Sequence, residues 1–177
     1  MEHVVVERAP DTRITLEDAV AAYEEGKWCL DLYRVTLLRS FVSRGGNRMA
    51  CVYTAPDAES VRNTTQDPTF PVTGVWRSTL HGPGHRPQQP DLERVVVTRS
   101  FPEPPDFDEV QAREDAVGWC LDMHNVTFVE TFFSLDRTRM LCLYDAPDAE
   151  AVRHANRESG IPFDDIWSCD LLIPHAD

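Results

Sequence analysis

The stretch Cys51-Val52-Tyr53-Thr54-Ala55-Pro56-Asp57-Ala58-Glu59 returns 91 positions later as Cys142-Leu143-Tyr144-Asp145-Ala146-Pro147-Asp148-Ala149-Glu150. That recurrence decides the fold, because a repeat of this length is a whole structural unit made twice. Outward from it, Trp28-Cys29-Leu30-Asp31 matches Trp119-Cys120-Leu121-Asp122, and Val4-Val5-Val6 matches Val95-Val96-Val97. Trp76 matches Trp167, and laying residues 4–80 on 95–171 without a gap gives 27 identities in 77 positions. Between the copies, the run from His81 to Pro90 is rich in Pro, Gly and polar residues and reads as a linker. The chain therefore divides into residues 1–80, a linker over 81–93 and a second repeat over 94–177.

Within one copy, Val4 to Arg8 is a β-branched run and predicts a strand. Thr15 is placed to cap a helix with Glu17 and Asp18 in its first turn, and Leu16, Val20, Tyr23 and Leu30 fall near helical spacing. Val35 to Ser43, the turn Arg44-Gly45-Gly46-Asn47 and Arg48 to Thr54 predict a hairpin. Thr54 to Asp57 has the spacing of a capping box before a helix reaching about Gln66, and a last strand follows from about Gly74 to Leu80. The order βαββαβ is the ferredoxin-like pattern. Its helices cover one sheet face, and an uncovered apolar face invites association. The fold class expected is thus α+β, with two tandem ferredoxin-like domains packed sheet to sheet as a pseudo-dimeric α/β barrel.

The bulk properties narrow the function classes. Hydrophobic residues make up 42% of the chain, enough for a core, and no stretch is long and apolar enough to span a bilayer. The N-terminus has no basic region followed by an apolar one, so a cytoplasmic location with reduced thiols is expected for the five cysteines. A net charge of −13 argues against nucleic-acid and anionic-membrane partners. The charge is uneven: residues 1–90 hold 11 acids and 10 bases, and residues 91–177 hold 19 and 7.

Strand alternation suggests which residues line a space between the repeats. With the aliphatics Ala50, Val52, Leu141 and Leu143 assigned to the helix side, Met49, Cys51 and Tyr53 and their counterparts Met140, Cys142 and Tyr144 face the partner sheet. On the preceding strand, Leu37, Arg39 and Phe41 and their counterparts Phe128, Glu130 and Phe132 face it too, with Leu38, Val42, Val129 and Phe133 on the helix side. The candidate ligand-binding set is therefore Arg39, Phe41, Cys51, Tyr53, Glu130, Phe132, Cys142 and Tyr144, with Arg8 and Arg99 as repeated cations. An ion pair between Arg39 and Glu130, a polar pocket, or plain interdomain packing all suit this wall. Repeated Trp-Cys-Leu reads as core packing. His124, four residues after Cys120, allows a thiolate pair limited to the second copy.

The stretches Val6-Glu7-Arg8, Ser40 to Ser43, Cys51 to Arg62, Cys142 to Asn156 and Gly160-Ile161-Pro162-Phe163 resemble a family of small bacterial proteins. That family was long known only as a domain of unknown function, and its best-described member binds nickel. The resemblance covers nearly all of both copies and implies single ferredoxin-like domains that dimerise, with nickel as the candidate cofactor. The histidines of the metal-binding branch are mostly missing here. Arg8 and Ala9 stand at the first-strand position, the first helix has none in either copy, and only His154 falls in the second-helix region. The weak metal candidates are His124, His154 and Cys120.

Three readings follow. One is a small-molecule or metal-ion binding protein using a cavity between the fused domains. The second is a cofactor-free cyclase, isomerase or oxygenase-like enzyme acting in that cavity. The third is a structural module without a ligand. The partner expected is a small molecule or metal ion, with monomer and homodimer both open.

Overall fold

The computed structural model describes residues 1–82, 87–116 and 118–174. The first repeat runs β1 (Glu2–Arg8), α1 (Leu16–Leu32), β2 (Thr36–Ser43), β3 (Met49–Ala55), α2 (Ala58–Thr64) and β4 (Val72–His81). The second runs β5 (Glu93–Ser100), α3 (Phe107–Ala116), α4 (Gly118–Met123), β6 (Thr127–Ser134), β7 (Arg139–Ala146), α5 (Ala149–Ser159) and β8 (Asp165–Leu172). This is βαββαβ twice, with the helical residues 107–116 and 118–123 of the second repeat standing where the first has α1. The strands of the first repeat are ordered β4-β1-β3-β2 and those of the second β8-β5-β7-β6. That is the ferredoxin-like order.

The caps explain where the helices begin. Thr15 accepts from the Asp18 amide and the Asp18 carboxylate accepts from the Thr15 amide at 2.8 Å, closing a capping box on α1. Asp57 caps α2 by accepting from the Ser60 amide at 2.7 Å, and Asp148 caps α5 through the Ala151 amide at 2.8 Å. The cap thus falls on Asp57 and not on Thr54, because Thr54 is still engaged in the β3 ladder opposite His3. His81, read as linker, closes β4. Residues 83–86 of the linker, including His85, lie outside the described residues, as does His175.

The chain forms two compact units, Met1–Ser78 together with the residues from Cys169 onward, and Thr79–Ser168. The change of unit falls inside β4 and β8. The end of β8 belongs to the first unit, where it pairs antiparallel with β2 from Ser40↔Leu172 to Ser43↔Cys169.

The strand faces correct one sequence-based expectation. Cys51 and Tyr53 pack with Val4, Val6, Ala19, Leu30 and Val61, so they lie beneath α1 and α2. Cys142 and Tyr144 likewise pack with Val95, Val97, Val152 and Ala155 beneath the helices of the second unit. None of the four is on the helix-free face. Both faces of each sheet are apolar, so aliphatic character does not mark the helix side. Ala50, Val52, Leu141 and Leu143 take the opposite face by alternation.

Arg39 and Phe41 do lie on the helix-free face, opposite Val52 and Ala50 in the register, and Glu130 and Phe132 hold the same positions opposite Leu143 and Leu141. Leu37 and Phe128 do not join them. Register shifts between Leu37 and Arg39, and between Phe128 and Glu130, place Leu37 beside Tyr53 and Phe128 beside Tyr144 on the helix side.

One turn is fixed by its glycine. Gly46 has φ +71°, and a Cβ there would stand 2.5 Å from the Ile14 carbonyl oxygen and 2.9 Å from the Ile14 nitrogen. The Ile14 amide donates to the Gly46 carbonyl at 3.0 Å, so the loop before α1 is pinned to this turn. Gly46→Ala is expected to destabilise the first unit by about 1–3 kcal/mol. A lowered urea midpoint with an unchanged circular dichroism spectrum is the result to look for.

Candidate functional site

Alternation along β7 sends Met140, Cys142 and Tyr144 toward the helices of the second unit, and the displaced β6 register adds Phe128 and Thr131. The helices do not fill the space above them. A pocket of about 440 Å³ remains, with Leu121, Phe128, Met140 and Ile161 among its apolar walls and Asp115, Tyr144, Thr131 and Asn156 among its polar groups. A second pocket of about 230 Å³ shares Val110, Met140 and Ile161 with it and includes Arg99. In the first unit the corresponding space between sheet and α1 is about 250 Å³ and is lined by Arg8, Tyr23, Leu37, Cys51 and Tyr53.

A buried polar cluster underlies each pocket. In the second unit Arg99 is 3% exposed. Its Nη2 donates to Asn156 Oδ1 at 2.6 Å, its Nη1 donates to the Pro162 carbonyl, and Asn156 Nδ2 donates to the Val152 carbonyl at 2.7 Å. Arg99 Nε is buried with no acceptor among the described residues. Burial pulls the Arg99 guanidinium down, while Tyr144 and Cys142 beside it more than offset this and leave its pKa above the ordinary value. Thr131 Oγ1 donates to Cys142 Sγ at 2.7 Å.

The first unit builds the same cluster from Arg8, Tyr53, Cys51 and Ser40. Arg8 Nη1 donates to the Phe70 carbonyl and, at 3.4 Å, to the Thr65 carbonyl, and Ser40 Oγ donates to Cys51 Sγ at 3.2 Å. Burial, then Cys51, pushes the Tyr53 phenol up against the opposing pull of Arg8, so it stays protonated. The repeated arginines are thus cations bound into the protein, and on Arg99 the Nε–H still seeks an acceptor among the described residues.

The ten sequence-derived candidates split by face. Arg8, Cys51 and Tyr53 line the pocket of the first unit, and Arg99 and Tyr144 line those of the second, with Cys142 packed beneath. Arg39, Phe41, Glu130 and Phe132 are on the other side of the sheets. Leu121, Ile161 and Asn156 fall in the repeated or family-like motifs but are not among the sequence-derived site candidates. Of these, Asn156 carries a signal, being a polar residue one turn after Val152 on the inner face of an amphipathic helix.

The tryptophans are also corrected. Trp28 and Trp119 are 69% and 57% exposed, not core. A helix presents neighbouring residues to different sides, and Leu30 and Cys120 take the buried positions in their place.

Two of the metal candidates, His124 and His154, come together. The rings of His124 and His154 stack with centroids 6.0 Å apart, His124 Nε2 meets Glu158 Oε2 at 2.9 Å, and His154 Nε2 meets Glu150 Oε1 at 3.3 Å. Each imidazole is taken by its own carboxylate. Burial, then Glu158, raises the Cys120 thiol, which is the opposite of what a thiolate ligand or nucleophile needs. Among the described residues no group of three or more His, Cys, Asp or Glu side chains is arranged to hold a metal ion. The described residues do not fit a nickel centre.

Among known proteins, a family model described as nickel-responsive protein SCO4226-like matches residues 3–77 and 96–168. No curated protein matches the chain. A chlorite dismutase from Candidatus Nitrospira defluvii, solved in complex with imidazole, is similar over 95% of this chain and 91% of its own, at 10% identity and a TM-score of 0.56. A haem-binding protein from Thermus thermophilus is similar over 97% of this chain and 91% of its own, at 14% identity and a TM-score of 0.51. These likenesses show the fold, tandem ferredoxin-like repeats of the dimeric α/β-barrel class. No helix is long and apolar enough to cross a membrane among the described residues.

Proposed function

We propose, for a chain that belongs to the SCO4226-like family of nickel-responsive proteins, that it binds a small molecule in the pocket of its second unit. The observation that carries this reading is the pocket of about 440 Å³ between sheet and helices, whose lining combines apolar side chains such as Leu121, Phe128, Met140 and Ile161 with polar ones such as Tyr144, Thr131 and Asn156. Ligand sites have this size and combine apolar surface with placed hydrogen-bonding groups. The ligand is an aromatic or aliphatic body bearing an acceptor. The body lies against Leu121, Phe128 and Met140, and the acceptor meets the Nε–H of Arg99 through the adjoining space. Haem needs an axial donor. The imidazole on this lining is His81, already engaged with Thr79 Oγ1 at 2.7 Å, so haem is not part of the proposal.

The test uses 8-anilinonaphthalene-1-sulfonate, an aromatic anion of suitable size. Gly118 lines the pocket, and a Cβ added there meets no atom within 4 Å. Gly118→Phe therefore puts a ring into the pocket without a backbone clash. Saturable binding of one equivalent by the native chain, lost in Gly118→Phe and kept in Gly26→Phe at the pocket of the first unit, is the expected result. Unchanged binding by Gly118→Phe, with the fold intact, would remove the site.

A further inference from the structure

Trp28 and Trp119 occupy equivalent positions of the two repeats, on α1 and α4, and both are exposed. One turn further on, Leu32 and Met123 are 69% and 68% exposed. Side chains four apart on a helix stand one above the other. Each repeat therefore shows solvent a bulky apolar pair that its own fold does not cover, at the same place in both copies.

The helical segments that carry both pairs are acidic. Residues 16–32 hold Glu17, Asp18, Glu24, Glu25 and Asp31 against the single base Lys27. Residues 107–123 hold Asp108, Glu109, Glu114, Asp115 and Asp122 against Arg113. Asp31 and Asp122, adjoining Leu32 and Met123, are exposed in both repeats.

We propose that each of these helix faces docks a basic amphipathic helix, a protein segment carrying Lys or Arg beside bulky aliphatic side chains. Tryptophan is the side chain that most often anchors such contacts, and the rim carboxylates steer a cationic partner and fix its orientation. Charge decides between occupants. An anionic membrane surface, a nucleic acid and a second copy of a chain with net charge −13 are all repelled by these acidic segments. The duplication supplies two such faces on one chain.

The test is calorimetric titration of the full chain with a synthetic amphipathic Lys/Leu helix of about five turns that lacks aromatic residues. Two equivalents bind per chain, with a blue shift of tryptophan emission and weakening as salt rises. The double variant Trp28→Ala/Trp119→Ala weakens binding by about tenfold or more. Asp31→Asn/Asp122→Asn weakens it less and flattens the salt dependence. All four side chains are exposed, so the variants keep the native circular dichroism spectrum. Oligolysine binding as tightly as the amphipathic peptide, or the tryptophan variant binding unchanged, overturns the proposal. So does a blue shift produced by neutral lipid vesicles but not by the peptide, or tryptophan-dependent self-association in sedimentation.

Discussion

Arg94→Leu is expected to destabilise the second unit by about 3–5 kcal/mol, among the largest effects any single substitution in this chain will have. Arg94 and Asp145 stand opposite each other on β5 and β7. Arg94 Nε donates to Asp145 Oδ1 at 2.6 Å and Nη2 to Oδ2 at 3.4 Å, and the side chains are 0% and 4% exposed. A carboxylate buried this deeply has no water to fall back on. Removing the guanidinium strands a buried charge without its partner, which weakens the strand pair. The expected signature is a melting temperature lower by roughly 10 °C. Arg94→Leu/Asp145→Leu should be much closer to the native chain than Arg94→Leu alone, because the stranded charge has gone. A single variant as stable as the native chain at neutral pH would show that the pair is not a buried ion pair in solution.

That pair also shows where the sequence stops being legible. The repeat offset, the element order and the start of α1 are readable, because each depends on local chemistry or on identity between copies. Arg94 and Asp145 cannot be found that way: their counterparts in the first repeat are His3 and Thr54, which share the register but not the charge. The strand faces fail for a different reason. Alternation gives two sets of residues but not which set meets the helices, and here both sets are apolar. Tyr53 and Tyr144 take the inner side beside a buried arginine, a pairing set by three-dimensional proximity of β1 to β3 and of β5 to β7. The displaced register at Leu37 and Phe128 compounds the error, since one irregular residue reverses the parity of everything before it. The exposed tryptophans mislead because hydrophobicity alone names a core residue, while helix phase decides whether the core can reach it.

Arg99→Met is expected to cost about 2–4 kcal/mol and to abolish probe binding in the second unit's pocket. The substitution keeps an unbranched stem but withdraws donors from Asn156 Oδ1 and the Pro162 carbonyl, leaving buried acceptors without partners. It also withdraws the Nε–H proposed to meet the ligand. Arg99→Lys separates these roles. One ammonium cannot reproduce the planar fork that spans Asn156 and Pro162, so stability should recover only in part, yet the positive charge beside the pocket is kept. If the pocket reads charge alone, Arg99→Lys restores binding of the anionic probe. If it reads the directed Nε–H, binding stays weak while the urea midpoint partly returns. The first unit provides the control. Arg8 holds the Thr65 carbonyl after α2 and the Phe70 carbonyl before β4, and lines a different pocket, so Arg8→Met should destabilise without touching probe binding. Equal loss of binding in Arg8→Met and Arg99→Met would mean that the probe reports global unfolding and not a site on the second repeat.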